Sequence, residues 1–526
     1  MLTILLSIFI LVLSIEGKIC NKHIEYRIFG QVIENVKEQK VNCTEDYCTH
    51  VTINIHDIFQ GFEWGCSSDM NDILSNLLHT LPSLKQEVDI AKGACNNLTT
   101  YTGTGDIQNT NYTIYVACNK NNSIRNMKVV DFLQKWDEWM WIKFASNFGA
   151  LSFVICIWIL HIIAHYYGKT HLHKIVTKLK EYPGVSIIKP LVGVDKNLRE
   201  NLISIFELVY PNYEIIFCLQ SKEDEALVIV KDLCNLYSYI PTKIYIGGEK
   251  VGSNPKINNM MPGFRDVTNP LILISDANIF MEKYSLTDMV SCMKEDVGLV
   301  TQIPFCKNRP GYVAAFEKVF FGTGHARLYL AGNFLEITCS TGMSALLRRS
   351  VLDACGGLGN FSQYLAEDYF LGRAFLKKGY KSCISHCPAL QNSEPTTIGH
   401  FNDRICRWMK LRIAMLFHTF LLEPLQEPIL CGLLGGISLN YFFNINILFY
   451  ILPHLIIWCI LDYHLLRTLD ISRNQEISFH YFVVLWLLRE LTSYPMYIRA
   501  LLCSKIKWKT GTYRLAWGGK IKKVYE

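Results

Sequence analysis

The chain has 526 residues, 50% of them apolar, with 52 Lys and Arg against 46 Asp and Glu for a net charge of +6. That length allows about three domains, and the mean hydropathy of +0.17 is high for a soluble protein. The basic residues are spread along the chain without a block, a zinc-finger spacing or an RNA-binding signature, which excludes a nucleic-acid partner.

Residues 1–17, MLTILLSIFILVLSIEG, form an apolar run too short for an ordinary span and placed as a secretory signal peptide. An uncleaved anchor is the other reading, because no basic residue precedes the run. Residues 18–130 contain six cysteines (Cys20, Cys43, Cys48, Cys66, Cys95 and Cys118) and four N-x-S/T acceptors at Asn42, Asn97, Asn111 and Asn121. An even cysteine set with several acceptors predicts a small, disulfide-rich, glycosylated lumenal domain. Residues 144–167 carry no Asp, Glu, Lys or Arg and are long enough to span a bilayer. Lys169, Lys174, Lys178 and Lys180 follow, which places the downstream side in the cytosol.

From 183 to 410 the pattern alternates strands with helices. Apolar runs at 184–193, 214–221, 271–278 and 297–305 read as strands, and 198–209 reads as a helix. This predicts an α/β domain with a mostly parallel sheet, whose ligands sit at the carboxyl ends of its strands. Residues 411–526 are read as two membrane crossings, an interfacial segment holding Arg489, Glu490 and Arg499, and a basic cytosolic tail. The thirteen later cysteines read as ordinary buried residues; Cys383 and Cys387 are four apart, but no second pair completes a metal site.

Three aspartates follow strands or open a helix in this domain: Asp224, Asp276 and Asp368. Beyond them stands Arg404-Ile-Cys-Arg407-Trp408. Singly, an aspartate after a strand is usually a turn or cap residue. Together they suit transfer of a group from a diphosphate donor to an alcohol. One carboxylate can hold a divalent ion at the phosphates, another can take the proton of the attacking hydroxyl, and arginine can offset charge on the leaving group. Lys250 and Lys256 flank a Gly/Asn-rich loop, and polar basic loops suit a pyrophosphate.

The ordered set resembles the D1, D2, D3, (Q/R)-x-x-R-W signature of membrane glycosyltransferases with the GT-A (Rossmann-like nucleotide-sugar) fold. The stretches GVSIIKPLVGVDKNL, IGGEKVGSNPKINNMMPG, FGTGHARLY, TGMSALLRR, QYLAEDYFLG and TGTYRLAWGG resemble the ceramide glucosyltransferase family, from about residue 140 to the C-terminus. The resemblance implies UDP-glucose as donor, ceramide as acceptor, a divalent ion (Mg or Mn) and a Golgi membrane location. It implies Asp224 on the nucleotide side, Asp276 at metal and diphosphate, and Asp368 as the base. Arg404, Arg407 and Trp408 close the site, His325 belongs to it, and Lys256 and Asn258 contact nucleotide or sugar. One departure stands out: the second position reads Asp276-Ala277-Asn278, without a second acid. A transferase with another acceptor, and a receptor-like protein working through its lumenal domain, remain open.

Overall fold

The computed structural model describes residues 138–524 except 175, 395–396, 417–418, 471–476 and 509–510, together with the backbone of six strands between residues 20 and 119. The chain divides into two units, one of residues 1–147 with 440–444, the other of the remainder.

In the first unit, β1 (Cys20–Ile28), β2 (Gln31–Val41), β3 (Cys48–Ile55), β4 (Phe59–Cys66), β5 (Thr100–Ile107) and β6 (Thr110–Asn119) pair antiparallel in the order β2-β1-β4-β3-β6-β5. Cys48 stands opposite Cys66, and Thr49 opposite Cys118. The expected signal peptide, Cys43, Cys95 and the acceptors Asn42, Asn97 and Asn121 lie outside the described residues, and so do the side chains of the remaining four cysteines.

The second unit is built on a seven-stranded sheet. Its strands are β7 (Val185–Leu191), β8 (Tyr213–Leu219), β9 (Thr242–Ile246), β10 (Leu271–Ser275), β12 (Val297–Thr301), β14 (Ser344–Arg348) and β15 (Lys381–Ile384). Their order is β15-β12-β14-β10-β7-β8-β9. All neighbours run parallel except β14, which is antiparallel to both β10 and β12. β7, β8, β10 and β12 are almost wholly buried, as strands covered on both faces must be. A small second sheet joins β11 (Ile279–Phe280), β16 (Ala389–Gln391) and β13 (Pro304–Cys306).

Helix α1 (Glu138–His171) carries the apolar 144–167 run. In the sheet domain α2 (Leu198–Phe206), α3 (Ala226–Leu236) and α5 (Ser285–Ser291) pack on one face of the sheet. α4 (Pro255–Arg265), α8 (Arg349–Ala354) and α9 (Glu367–Lys377) pack on the other. α6 (Tyr312–Phe320), a π-turn at Phe321–His325 and α7 (Ala326–Phe334) join a helical core with α1, α10 (Ile398–Met415), α12 (Pro428–Phe443), α13 (Ile447–Leu469) and α14 (Phe479–Leu502); the short α11 is Thr419–Leu425. Among the described residues two helices are long and apolar enough to cross a membrane, over Trp141–His171 and Ile447–Leu469. α14 is not one of them: Arg489 is buried, paired with Glu490 and, at 2.8 Å, with Glu427.

The basic tail is not a plain tail. β17 (Lys505–Trp508), β18 (Gly511–Leu515) and β19 (Ile521–Val524) form an antiparallel sheet. Ile506, Tyr513 and Ile521 are buried against Leu365, and Lys520 pairs with Tyr364.

Candidate active site

Strand order reverses around β7: the chain goes to β8 on one side while β10 lies on the other. Such a reversal leaves a crevice outside the carboxyl ends of the strands, and the loops there hold most of the expected residues.

Asp276 directly follows β10, and its N–H donates to the Met343 carbonyl at 2.9 Å, tying the end of β10 to the start of β14. Its Oδ1 lies 2.8 Å from Lys256 Nζ. Lys256 sits in the first turn of α4, started by Asn254, whose Oδ1 accepts from the N–H groups of Lys256 (2.8 Å) and Ile257 (3.3 Å), with Pro255 at the first helical position. The ammonium also lies 3.1 Å from Glu367 Oε1 and donates to the Gly342 carbonyl at 2.7 Å. Its three protons are therefore spent inside the protein. Burial pulls its pKa down, but the charges of Asp276 and Glu367 outweigh that and hold it above the usual lysine value. Lys256 thus ties two loops together in this structure.

Asp368 is next to Glu367 at the start of α9, where Tyr369 N–H donates to its Oδ1 at 2.9 Å. Burial, and then the charge of Glu367, push its pKa up to about 7 against the N–H groups of Tyr369 and Gly342 and the charge of Lys256. Gly342 stands among all three groups. A Cβ there would lie 3.3 Å from Lys256 Nζ, 3.4 Å from Glu367 Oε1 and 3.7 Å from Asp368 Cγ.

Arg404 joins this cluster from α10: Nη2 approaches Met343 Sδ at 3.6 Å, and the guanidinium lies 4.9 Å from the Trp408 ring centre. His325 stacks on Trp408, its ring 6.1 Å away at 25°, and lies 4.9 Å from the Tyr329 ring. Burial, then the charges of Arg412, Arg489 and Arg404, push its pKa down to about 3, so it is neutral at physiological pH. Its buried Nε2 has no hydrogen-bond partner among the described residues. Arg407, three residues after Arg404 on α10, is half-buried.

Asp224 and Asn258 lie on the β8–β9 side. Asp224 Oδ2 accepts from Gly193 N–H at 2.9 Å and Oδ1 from Ala226 N–H at 3.0 Å, the turn role usual for an aspartate after a strand. Asn258 spends its side chain on the neighbouring loop, accepting from Val251 and Gly252 N–H (3.1 Å each) and donating to Gly252 O at 2.9 Å. A cavity of about 510 Å³ opens here, lined by Gln220, Gly247, Lys250, Asn258 and Asn259, with Tyr513 reaching it from the terminal sheet.

Four residues escaped the sequence reading. Glu367, Gly342 and Tyr329 contribute through spatial proximity that spacing does not reveal. Lys189 did leave a signal, a charge inside an apolar strand run. It is fully buried, donating to Ser275 Oγ at 3.1 Å and Ile279 O at 3.4 Å beneath the Asp276 loop. Burial takes its pKa down to about 7, opposed by Asp276.

At Asp276 one carboxylate oxygen already faces an ammonium, and no group of three ligating side chains converges there among the described residues. The residues fit a divalent ion that the donor brings on its phosphates, with Asp276 as a protein carboxylate, and not one held by the protein alone.

The profile of glycosyl transferase family 21 matches residues 156–521. Ceramide glucosyltransferase 3 of Caenorhabditis elegans is 49% identical over 373 residues, covering 70% of this chain and 81% of that protein. Ceramide glucosyltransferase 1 of the same organism is 46% identical over 372 residues, covering 70% and 80%. The ceramide glucosyltransferase of Komagataella phaffii is 25% identical, covering 69% of this chain and 90% of its own.

Proposed function

The chain belongs to glycosyl transferase family 21, and from that premise we propose that it transfers glucose from UDP-glucose to the primary hydroxyl of ceramide, inverting the anomeric carbon to give β-glucosylceramide. The observation that carries the reading is the convergence of Asp276, Glu367, Asp368 and Lys256 around Gly342 at the carboxyl edge of the sheet.

Asp368 is the base. A group with a pKa of about 7 is ionised often enough to accept a proton and basic enough to take it from an alcohol. The ceramide oxygen attacks the anomeric carbon as its proton passes to Asp368, and UDP departs on the opposite face. Arg404, held over Trp408, and Arg407 balance the charge that develops on UDP. Asp276 would hold a divalent ion brought by the donor, which would supply further neutralisation of the diphosphate, and Lys189 and Lys256 fix the Asp276 loop from below and beside. The neutral His325, with its unpartnered Nε2, gives the acceptor a hydrogen-bonding partner. The cavity beside Gln220 and Lys250 takes the nucleoside, with Asp224 and Asn258 shaping its walls.

The membrane arrangement is part of the proposal: α1 crosses a Golgi membrane, α12 and α13 make the two further crossings with α14 interfacial, so that the sheet domain and terminal sheet both lie on the cytosolic side, and β1–β6 form a lumenal, disulfide-linked domain. Its support is the basic cluster after α1 and the cysteines and acceptors before it.

The test is a transfer assay on the full chain in detergent, offering labelled UDP-glucose and UDP-galactose against ceramide, diacylglycerol and dolichyl phosphate. Glucose on ceramide alone is expected. Transfer to another acceptor would keep the reaction type and replace the acceptor; no transfer from folded protein would remove the reading.

A further inference from the structure

Away from the catalytic loops, four side chains with ligating atoms meet beside the edge strand β15. Asp288 lies on α5 and Cys292 directly after it, four residues on and so on the same face. Cys383 is in β15, and His386 follows three residues later. Asp288 Oδ1 is 2.7 Å from His386 Nδ1, and Cys292 Sγ is 3.7 Å from the same nitrogen. The ligating atoms of Asp288, Cys292 and His386 all lie within 4.8 Å of one another. The Cys383 thiol donates to the Cys292 carbonyl oxygen, Sγ to O 3.6 Å.

The arrangement is held in place by its surroundings. Asp288 is fully buried, and its Oδ2 accepts from the N–H groups of His386 (2.9 Å) and Cys387 (3.1 Å), which leaves Oδ1 turned toward the imidazole. The His171 ring packs 4.6 Å from that of His386, and His173 N–H donates to the His386 carbonyl at 3.0 Å. An Asp–His clasp alone explains the 2.7 Å contact. It does not explain a thiol at the same nitrogen with a second thiol hydrogen-bonded to the backbone of the first.

We propose that Asp288, Cys292, Cys383 and His386 form a binding site for a thiophilic divalent cation of the zinc class. Two sulfurs, one imidazole nitrogen and one carboxylate oxygen make a complete tetrahedral set. Bonds of about 2.0–2.3 Å to such an ion put neighbouring ligands roughly 3.3–3.8 Å apart; Cys292 and His386 already stand 3.7 Å apart, and Cys383 completes the set by turning its thiol away from the Cys292 carbonyl. Two thiolates favour zinc over magnesium or calcium. On binding, Cys292 and Cys383 release their thiol protons to solvent, and the imidazole binds through Nδ1 with its proton on Nε2. With four protein ligands no position stays open for substrate, so the site is structural. It fastens the segment leaving α1 to the edge of the sheet. Cys383, whose sequence neighbour in spacing was Cys387, finds its partner instead in Cys292, which lies 91 residues away.

The experiment measures metal on the full chain, purified in detergent and dialysed against metal-free buffer, by plasma mass spectrometry. Stoichiometric zinc in the wild type, lost in the Cys292→Ser/Cys383→Ser double variant, is expected. Zinc at background in the wild type, or retained in the double variant, overturns the site. The wild type is also exchanged with cobalt, so that the answer does not depend on the variant folding. A thiolate-to-cobalt charge-transfer absorption supports the site, and its absence overturns it. Removing zinc with a chelator is expected to lower the melting temperature, a readout independent of transfer activity.

Discussion

Asp276, Glu367 and Asp368 share one ammonium, Lys256, and the imbalance is what tunes the site. Lys256 contacts the first two carboxylates directly, while Asp368 has no such contact, and its burial, then the charge of Glu367, raise its pKa to about 7. The base works only when ionised, so kcat/KM should fall as pH drops below about 7 and level off above it. Glu367→Gln removes a charge that raises this pKa, so the limb should move to lower pH; a pH–rate profile that stays in place would show that Glu367 does not set it. Asp368→Asn should reduce kcat roughly 10²–10⁴-fold, the range of a lost general base, while UDP-glucose binding measured by calorimetry is retained. Gly342→Ala tests the geometry. Its methyl would stand 3.3 Å from Lys256 Nζ and 3.4 Å from Glu367 Oε1, forcing the carboxylates apart. The shift needed is a few tenths of an ångström, so turnover should drop severalfold, short of the roughly 10²-fold cost of a 1 Å displacement, with circular dichroism unchanged. The aspartates were legible in the sequence because each follows an apolar run or opens a helix. Glu367 stood beside one of them unremarked, since adjacency alone does not say that its partner is a lysine 111 residues earlier. Gly342 was quoted only as part of a motif; its role exists only once three distant charged groups surround it.

At the scale of elements, the loops after β7 and β8 are tied together by Asp224, which bonds to both, one oxygen to Gly193 and the other to Ala226 at the start of α3. Asp224→Ala removes both bonds. A hydrogen bond to a charged group contributes about 1.5–3 kcal/mol, and each 1 kcal/mol lost in a domain of this size lowers the melting temperature by roughly 2–4 °C. Donor affinity should weaken with it, because the nucleotide-side loops loosen. An unchanged melting temperature with lost donor binding would instead mean that the carboxylate touches the nucleotide itself. The strands were readable because buried strands are continuous apolar runs, and β7, β8, β10 and β12 start within one residue of the runs expected. Antiparallel β14 was not expected: alternation of strands and helices implies parallel pairing, and the reversal arises from the long excursion through α6 and α7. The terminal sheet was missed for a different reason. In β17 the lysines alternate with Ile506, but seven basic residues near the end read first as charge and only then as a pattern of period two.

The whole molecule sets its parts apart unequally. Strands β1–β6 belong to a unit of their own, while the seven-stranded sheet, the helical core and the terminal sheet belong to the other. Every residue proposed for chemistry lies in that second unit, so a chain lacking residues 1–137 should still transfer glucose at a rate near that of the full chain. Truncation from the other end should behave oppositely. Removing residues 505–526 strips Ile506, Tyr513 and Ile521 from Leu365, each worth about 1.5–3 kcal/mol of apolar burial. It also deletes the bridge from Lys520 to Tyr364 and the Tyr513 wall of the nucleoside cavity. Leu365 lies three residues before Asp368, so loosening it disturbs the start of α9 as well as the cavity. The expected outcome is a raised KM for donor together with a lower kcat, measured in the same assay as the N-terminal deletion. If both truncations left kcat and KM unchanged, the terminal sheet would be a passive ending. If only the N-terminal deletion abolished transfer, the working part of the molecule would lie in β1–β6, and the catalytic reading of the sheet domain would have to yield.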